Sequence, residues 1–306
     1  MSLQMILSTM LGALFNPFML AQLLAQSGGQ CIAVIRWLWR KPTSTLQPID
    51  CALPLNGTWE VINGGPDRKT SHSWSLLSQR FAYDLVIRDP STGHSYAGSR
   101  AEPRAYFAFA SPVYAPADGI VVQVRRNQRD ARRAGTGWLD WLARDIRGNH
   151  IIIDHGGYFS MVAHLKQGSC NVQVGDVVHR GQLIGAVGHS GHSTEPHLHF
   201  QLQDRANFYT AVGLPVRFEV TIDRRGAPSD KPDPKSGLPQ REDRLTKSES
   251  GDRWPDASVA VPVGHRELAS ALITLVGVLA GVFFIYRNFF RLFVAVLRAF
   301  GLLESQ

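Results

Sequence analysis

The chain has 306 residues, 44% of them hydrophobic, and a formal net charge of +7 at pH 7. At roughly 100–200 residues per domain, this length holds one main domain with appendages and excludes a string of several. No P-loop, dinucleotide fingerprint or groove-reading element accompanies the positive charge, which sets aside nucleotide-driven enzymes and nucleic-acid binders.

Residues 1–35 contain no Asp, Glu, Lys, Arg or His, and Met5 to Ala25 is a mostly apolar run close to the ~20 helical residues that cross a bilayer core. Asn16 and Pro17 interrupt it, and neither a positive leading flank nor a small-residue cleavage site of the A-x-A kind is present. Residues 1–41 are therefore expected to form an uncleaved membrane anchor, or a re-entrant or interfacial helix if Pro17 breaks the run. Trp37, Trp39, Arg40 and Lys41 then sit at the membrane interface.

Residues 42–222 are expected to form the globular domain, its folded part beginning near Leu53. In "SQRFAYDLVI", residues 78–87, the period of two predicts a strand with Phe81, Tyr83, Leu85 and Ile87 on one face. Asp84 lies on the other face between Ala82 and Val86, and an ionised carboxylate removed from water needs a cationic or metal partner. "SPVYAPADGIVVQV", "GNHIIIDHGGYFSMVAHL", "VGDVVHRGQLIGAVG" and "PHLHFQLQ" are short apolar runs cut by Gly, Pro, Asn and Asp, as in all-β folds. The arginine-rich insertion 125–148 interrupts them and is expected to be exposed, with a short helix around Trp138 to Arg144, facing anionic lipid or polymer.

Residues 223–267 are rich in Pro, Gly, Ser and mixed charge, a composition read as a tether. Leu268 to Tyr286 is an uncharged run of transmembrane length. Residues 287–306 space Arg287, Arg291 and Arg298 among large apolar residues, as in an amphipathic helix at the headgroups.

The chemistry concentrates in histidine. His197 and His199 in "PHLHF" project from one face of a strand, roughly 6.5 Å apart, while Leu198 and Phe200 pack behind. An isolated H-x-H is more often a pair of satisfied histidines, but here Asp84 adds a carboxylate from a second strand and His164 in "SMVAHL" ends a third. Catalytic zinc sites typically offer three protein ligands and leave one position to water.

These runs, in this order over about Phe81 to Phe218, resemble the lysostaphin-type zinc metallopeptidases, also called LytM-like or Duplicated hybrid motif proteins. The resemblance implies a mainly β antiparallel sheet or sandwich domain, here flanked by N- and C-terminal membrane helices. It implies Asp84 and His199 as Zn2+ ligands, with His197 and His164 as the pair that orients or deprotonates the attacking water and stabilises the developing oxyanion. The family's first motif is H-x-x-x-D, but Arg80 stands four residues before Asp84, and a guanidinium cannot replace a neutral imidazole. Either His72 folds back as the third ligand, as in relatives with a "QRYAYD"-like strand, or the metal site is lost and the domain is a binding module that activates cell-wall hydrolases. The retention of Asp84, His164, His197 and His199 favours the first.

The resemblance further implies hydrolysis of peptide bonds in peptidoglycan, outside the cytoplasmic membrane. The expected partners are peptidoglycan peptides and membrane lipids, a membrane protein remaining open, and no nucleic acid. His189 and His192 are expected on a solvated loop, His155 in a strand-end turn, and His94, His150, His179 and His265 as structural or exposed. Cys51 and Cys170 form a disulfide only if both face an oxidising compartment.

Overall fold

A computed structural model describes residues 16–39, 45–224, 238–247 and 259–260, with isolated positions between 269 and 287. Apart from those isolated positions, the run expected to span 268–286 and the amphipathic helix after it lie outside the described residues, as does His265.

One long helix, α1 (Pro17–Trp39), opens the described chain. Asn16 and Pro17, which interrupt the apolar run in the sequence, stand at its start: Asn16 Oδ1 accepts from Phe18 N at 3.0 Å, and proline fits the first helical position, where an N–H has no partner. It is long and apolar enough to cross a membrane, and 39% of its apolar window is buried within the protein.

The strands follow in chain order. First come β1 (Thr45–Leu46), β2 (Ile49–Cys51), β3 (Thr58–Gly64), β4 (Tyr83–Val86) and β5 (Pro112–Tyr114). Then come β6 (Gly119–Arg125), β7 (Asn149–Asp154), β8 (Phe159–Leu165), β9 (Val177–Val178), β10 (Leu183–Ala186) and β11 (Leu198–Gln203). The last are β12 (Gly213–Leu214), β13 (Val216–Phe218), β14 (Val220–Asp223), β15 (Arg244–Lys247) and β16 (Val259–Ala260). The main sheet runs β14-β15-β3-β4-β11-β8-β7-β6-β9, antiparallel throughout, with β12 beside β11. The architecture is thus mainly β and antiparallel, with one long apolar helix among the described residues.

Alternation gives the sheet two buried faces. Leu198, Phe200 and Leu202 of β11 join Tyr83, Leu85, Ile151, Ile153 and Val162 in the principal core. The opposite face of β11 carries His199, Gln201 and Gln203, all buried, which a sequence of period two shows as a polar stripe. Beside it Ile152, Met161 and Ala163 pack with Phe208, and Ala33, Val34 and Trp37 of α1 pack with Leu77, Phe81 and Val212.

Three expectations are corrected. The strand predicted over 78–87 is the shorter β4; Leu77–Gln79 form a 3-10 turn, and Phe81 packs toward α1 rather than with Tyr83 and Leu85. The predicted helix at Trp138–Arg144 is a series of turns, tied down by the Arg129–Asp140 ion pair and by Asn16 Nδ2 donating to the carbonyls of Trp141 and Ala143. Within the predicted tether, Arg244–Lys247 form a strand between β14 and β3 with Leu245 in the core, because four alternating residues suffice for an inserted strand even when the surrounding composition is polar. Cys31, Cys51 and Cys170 are free and buried.

Candidate metal centre

Register assembles the centre. β11 lies between β4 and β8, and His199 stands opposite Asp84 on one side and Ala163 on the other. Residues 115 positions apart thereby touch: His199 Nδ1 is 2.9 Å from Asp84 Oδ1. His197, two residues earlier on the same face, brings its Nε2 to 3.5 Å from that oxygen. His164, next after Ala163, packs its ring 4.8 Å from that of His197 and 5.8 Å from that of His199.

His72 arrives from outside the sheet. Its Nε2 lies 3.1 Å from Asp84 Oδ2, and its ring meets that of His199 edge-on at 5.1 Å. Ligand atoms of His72, Asp84 and His199 all lie within 4.8 Å of one another. Arg80 points the other way: it is buried, its Nε donates to the Trp74 carbonyl at 2.9 Å, and its guanidinium covers the Trp74 ring at 4.4 Å. Ser71 Oγ donates to the Arg80 carbonyl at 2.7 Å. The residue standing where the first-motif histidine was expected therefore closes the loop that presents His72.

Hydrogen-bond partners fix the proton positions of two rings. His164 Nδ1 faces the Ser190 carbonyl at 2.8 Å, and His197 Nδ1 faces the Glu195 carbonyl at 2.7 Å. A carbonyl only accepts, so each Nδ1 carries hydrogen and each neutral ring keeps its lone pair on Nε2.

Electrostatics separates these groups. Burial alone would raise the Asp84 pKa, but the charges of His72 and His197 beside it, with a hydrogen bond from His197, hold its carboxyl well below the usual carboxylate range. Burial, reinforced by His197 and His199, holds His164 well below an ordinary histidine. Burial also pushes His197 down, yet the charge of Asp84 and its hydrogen bond outweigh that and raise it.

Two imidazoles and one carboxylate make the donor set that suits zinc, with room for water as a fourth ligand. His199 Nδ1 and His72 Nε2 lie 2.9 and 3.1 Å from the two oxygens of the Asp84 carboxylate, and one ligand atom from each residue lies within 4.8 Å of the others. The residues present therefore fit such an ion.

The structure thus brings together His72, Asp84, His164, His197 and His199. Sequence reasoning missed Asn63, whose Nδ2 donates to Asp84 Oδ2 at 3.2 Å while Arg241 donates to its Oδ1 at 2.9 Å. A bulge in β3 sets Asn63 opposite Asp84, and no sequence pattern announces it. It also misplaced His189, which is fully buried between Ser193 Oγ and the Arg133 carbonyl, and His192, whose burial lowers its pKa to about 4.

Residues 105–210 match Peptidase family M23. That span includes His164, His197 and His199; His72 and Asp84 precede it. The chain is 34% identical to the peptidoglycan DD-endopeptidase ShyA of Vibrio cholerae over 166 residues, covering 51% of this chain and 34% of the relative. It is 37% identical over 91 residues to the glycyl-glycine endopeptidase ALE-1 of Staphylococcus capitis, covering 30% of this chain and 21% of the relative. Among solved structures, the catalytic domain of lysostaphin from Staphylococcus simulans aligns at 21% identity with a TM-score of 0.29, covering 52% of this chain and 88% of that one. The chain spans about a third or less of the length of the curated relatives it matches.

Proposed function

This chain carries a Peptidase family M23 domain with homology to lysostaphin-type peptidases, and from that premise we propose that it is a membrane-associated, zinc-dependent endopeptidase that hydrolyses peptide bonds of peptidoglycan. The observation that carries the reading is the convergence of His72, Asp84 and His199 with two further imidazoles, His164 and His197, facing the same point. The names of the relatives, a peptidoglycan DD-endopeptidase and a glycyl-glycine endopeptidase, support the substrate class.

In this mechanism His72, through Nε2, the Asp84 carboxylate and His199, through Nδ1, would hold the ion. Bound zinc supplies a Lewis acid that polarises the scissile carbonyl and lowers the pKa of a water toward ~7. His164, kept neutral by burial, offers its Nε2 lone pair as the acceptor for the proton of the attacking water. His197, held toward its charged form by Asp84, donates from Nε2 to the developing oxyanion. Titratable neighbours whose environments push them apart suit opposite acid and base roles.

In the domain arrangement proposed with this, residues 1–41 provide a membrane contact through α1. A segment from about 268 provides a second, and the peptidase domain stands on the extracytoplasmic side of the cytoplasmic membrane.

The test is metal analysis of the purified full chain alongside cleavage of cross-linked peptidoglycan peptides. About one zinc per chain is expected, with metal and cleavage both lost on His199→Ala and on His72→Ala. His164→Ala is expected to keep zinc and lose 10²–10⁴-fold in kcat. A His72→Ala protein that retains full zinc content overturns the ligand assignment.

A further inference from the structure

His164 and His197 have their proton positions set by backbone carbonyls, but His199 has none beside it. Its Nε2 meets Gln201 Oε1 at 3.1 Å. Gln201 Nε2 in turn donates to Gln203 Oε1 at 2.5 Å. Gln203 Nε2 donates to the Arg205 carbonyl at 2.7 Å and the Ala206 carbonyl at 3.3 Å.

The polarity of this row follows from its far end. Carbonyls only accept, so Gln203 must turn its NH2 to Arg205 and Ala206 and its oxygen back along the strand. That oxygen requires the NH2 of Gln201, which leaves the Gln201 oxygen for His199 and requires a hydrogen on Nε2. The lone pair of the neutral ring then lies on Nδ1, the atom facing Asp84. An ionised carboxylate and a lone pair at 2.9 Å repel unless a cation lies against both.

The surroundings lock this polarity. Gln201 and Gln203 are fully buried, paired in register with Met161 and Phe159 of β8. Reversing either amide would set oxygen against oxygen within the row, a penalty of about 1–3 kcal/mol per buried group.

We propose that the Gln201–Gln203 amide row, anchored on the carbonyls of Arg205 and Ala206, acts as a positioning relay that holds His199 in its Nε2–H tautomer and so commits Nδ1 to the metal. The proposal rests on the reading of His199 as a ligand. Its residues touch neither substrate nor reacting atoms; they act through His199.

The relay is tested on the ¹⁵N-histidine-labelled full chain, with the His199 resonances assigned by their loss in His199→Gln. Metal-free wild type is expected to show a pyridine-type shift at Nδ1 and a pyrrole-type shift at Nε2. Gln201→Leu and Gln203→Leu are expected to lose that signature and to bind zinc about 10–100-fold more weakly in chelator competition. A wild-type His199 with hydrogen on Nδ1 overturns the relay even if every variant unfolds. Wild-type affinity and signature in folded Gln201→Leu overturn it too. A wild type that keeps the signature yet binds no zinc removes the ligand reading and leaves the tautomer assignment standing.

Discussion

His164 holds a left-handed backbone, φ 59°, which costs a non-glycine residue of order 1–3 kcal/mol unless its surroundings enforce it. They do: His164 N donates to the Arg147 carbonyl at 2.9 Å, its ring donates to the Ser190 carbonyl, and its own carbonyl accepts from Gly188 N at 3.0 Å. Gly148 makes the arrangement possible, with φ +65° and space for a Cβ only 2.4 Å from the Ser190 oxygen. Gly148→Ala should therefore push Ser190 from under His164, at a cost of a few kcal/mol in stability from the positive φ and the backbone clash. The expected outcome is unchanged zinc stoichiometry with kcat reduced by about 10² or more, checked by metal analysis, thermal unfolding and peptide cleavage. Asp84 was legible in the sequence because a carboxylate on an apolar strand face is costly, and His197 and His199 because spacing two aligns side chains on a strand. Ser190, Glu195 and Asn63 were not, because their contributions are backbone carbonyls and a bulge, which side-chain patterns do not encode.

At the scale of elements, α1 is more than an apolar segment. Gln30 accepts from Leu77 N at 3.0 Å and donates to the Ser75 carbonyl at 2.6 Å, so the helix satisfies the backbone of the loop between His72 and Asp84. Arg36 pairs with Asp204 at 2.7 Å and donates to the Thr210 carbonyl, and a Cβ on Gly29 would meet the Tyr209 carbonyl at 2.3 Å. Hydropathy reports that such a helix avoids water but not what it packs against, which is why the sequence alone could not tell an anchor from a docked helix. Gln30→Ala leaves a loop N–H and carbonyl unsatisfied, at about 1–3 kcal/mol for each group that stays buried. It should lower the thermal midpoint and weaken zinc binding through His72 while the spectroscopic signature of His199 is preserved. Wild-type zinc affinity in a folded Gln30→Ala protein would separate α1 from the metal centre. The outward side of the helix exposes Phe18, Ile32, Ile35 and Trp39, which leaves an apolar row for the membrane contact proposed above.

At the scale of the whole molecule, buried histidines decide how the fold responds to acid. Burial, helped by the cation of Arg147, lowers His150 from 6.5 to about 4, and burial lowers His192 to about 4 as well. Unfolded, both titrate near 6.5, so between pH 6.5 and 4 the unfolded chain binds more protons and stability falls as pH falls. For His150, almost fully buried, the shift corresponds to about 3 kcal/mol at ~1.4 kcal/mol per pH unit. His164 acts with the same sign. Asp84, already depressed below 3.8, contributes its loss only under that window. His197, raised, contributes stability that is complete below 6.5 and disappears as pH rises through its folded value, so it is flat across the window. His150→Asn, which keeps a donor for the Gly148 carbonyl that His150 Nδ1 meets at 2.9 Å, isolates one contribution. Chemical denaturation at pH 7 and pH 4.5 should show the wild type losing up to about 3 kcal/mol more than this variant. An equal loss in both would mean that His150 takes up its proton without unfolding. A basic chain working beside an anionic surface meets a local pH below that of bulk solution, so this margin bears on the wall-side location proposed for the domain.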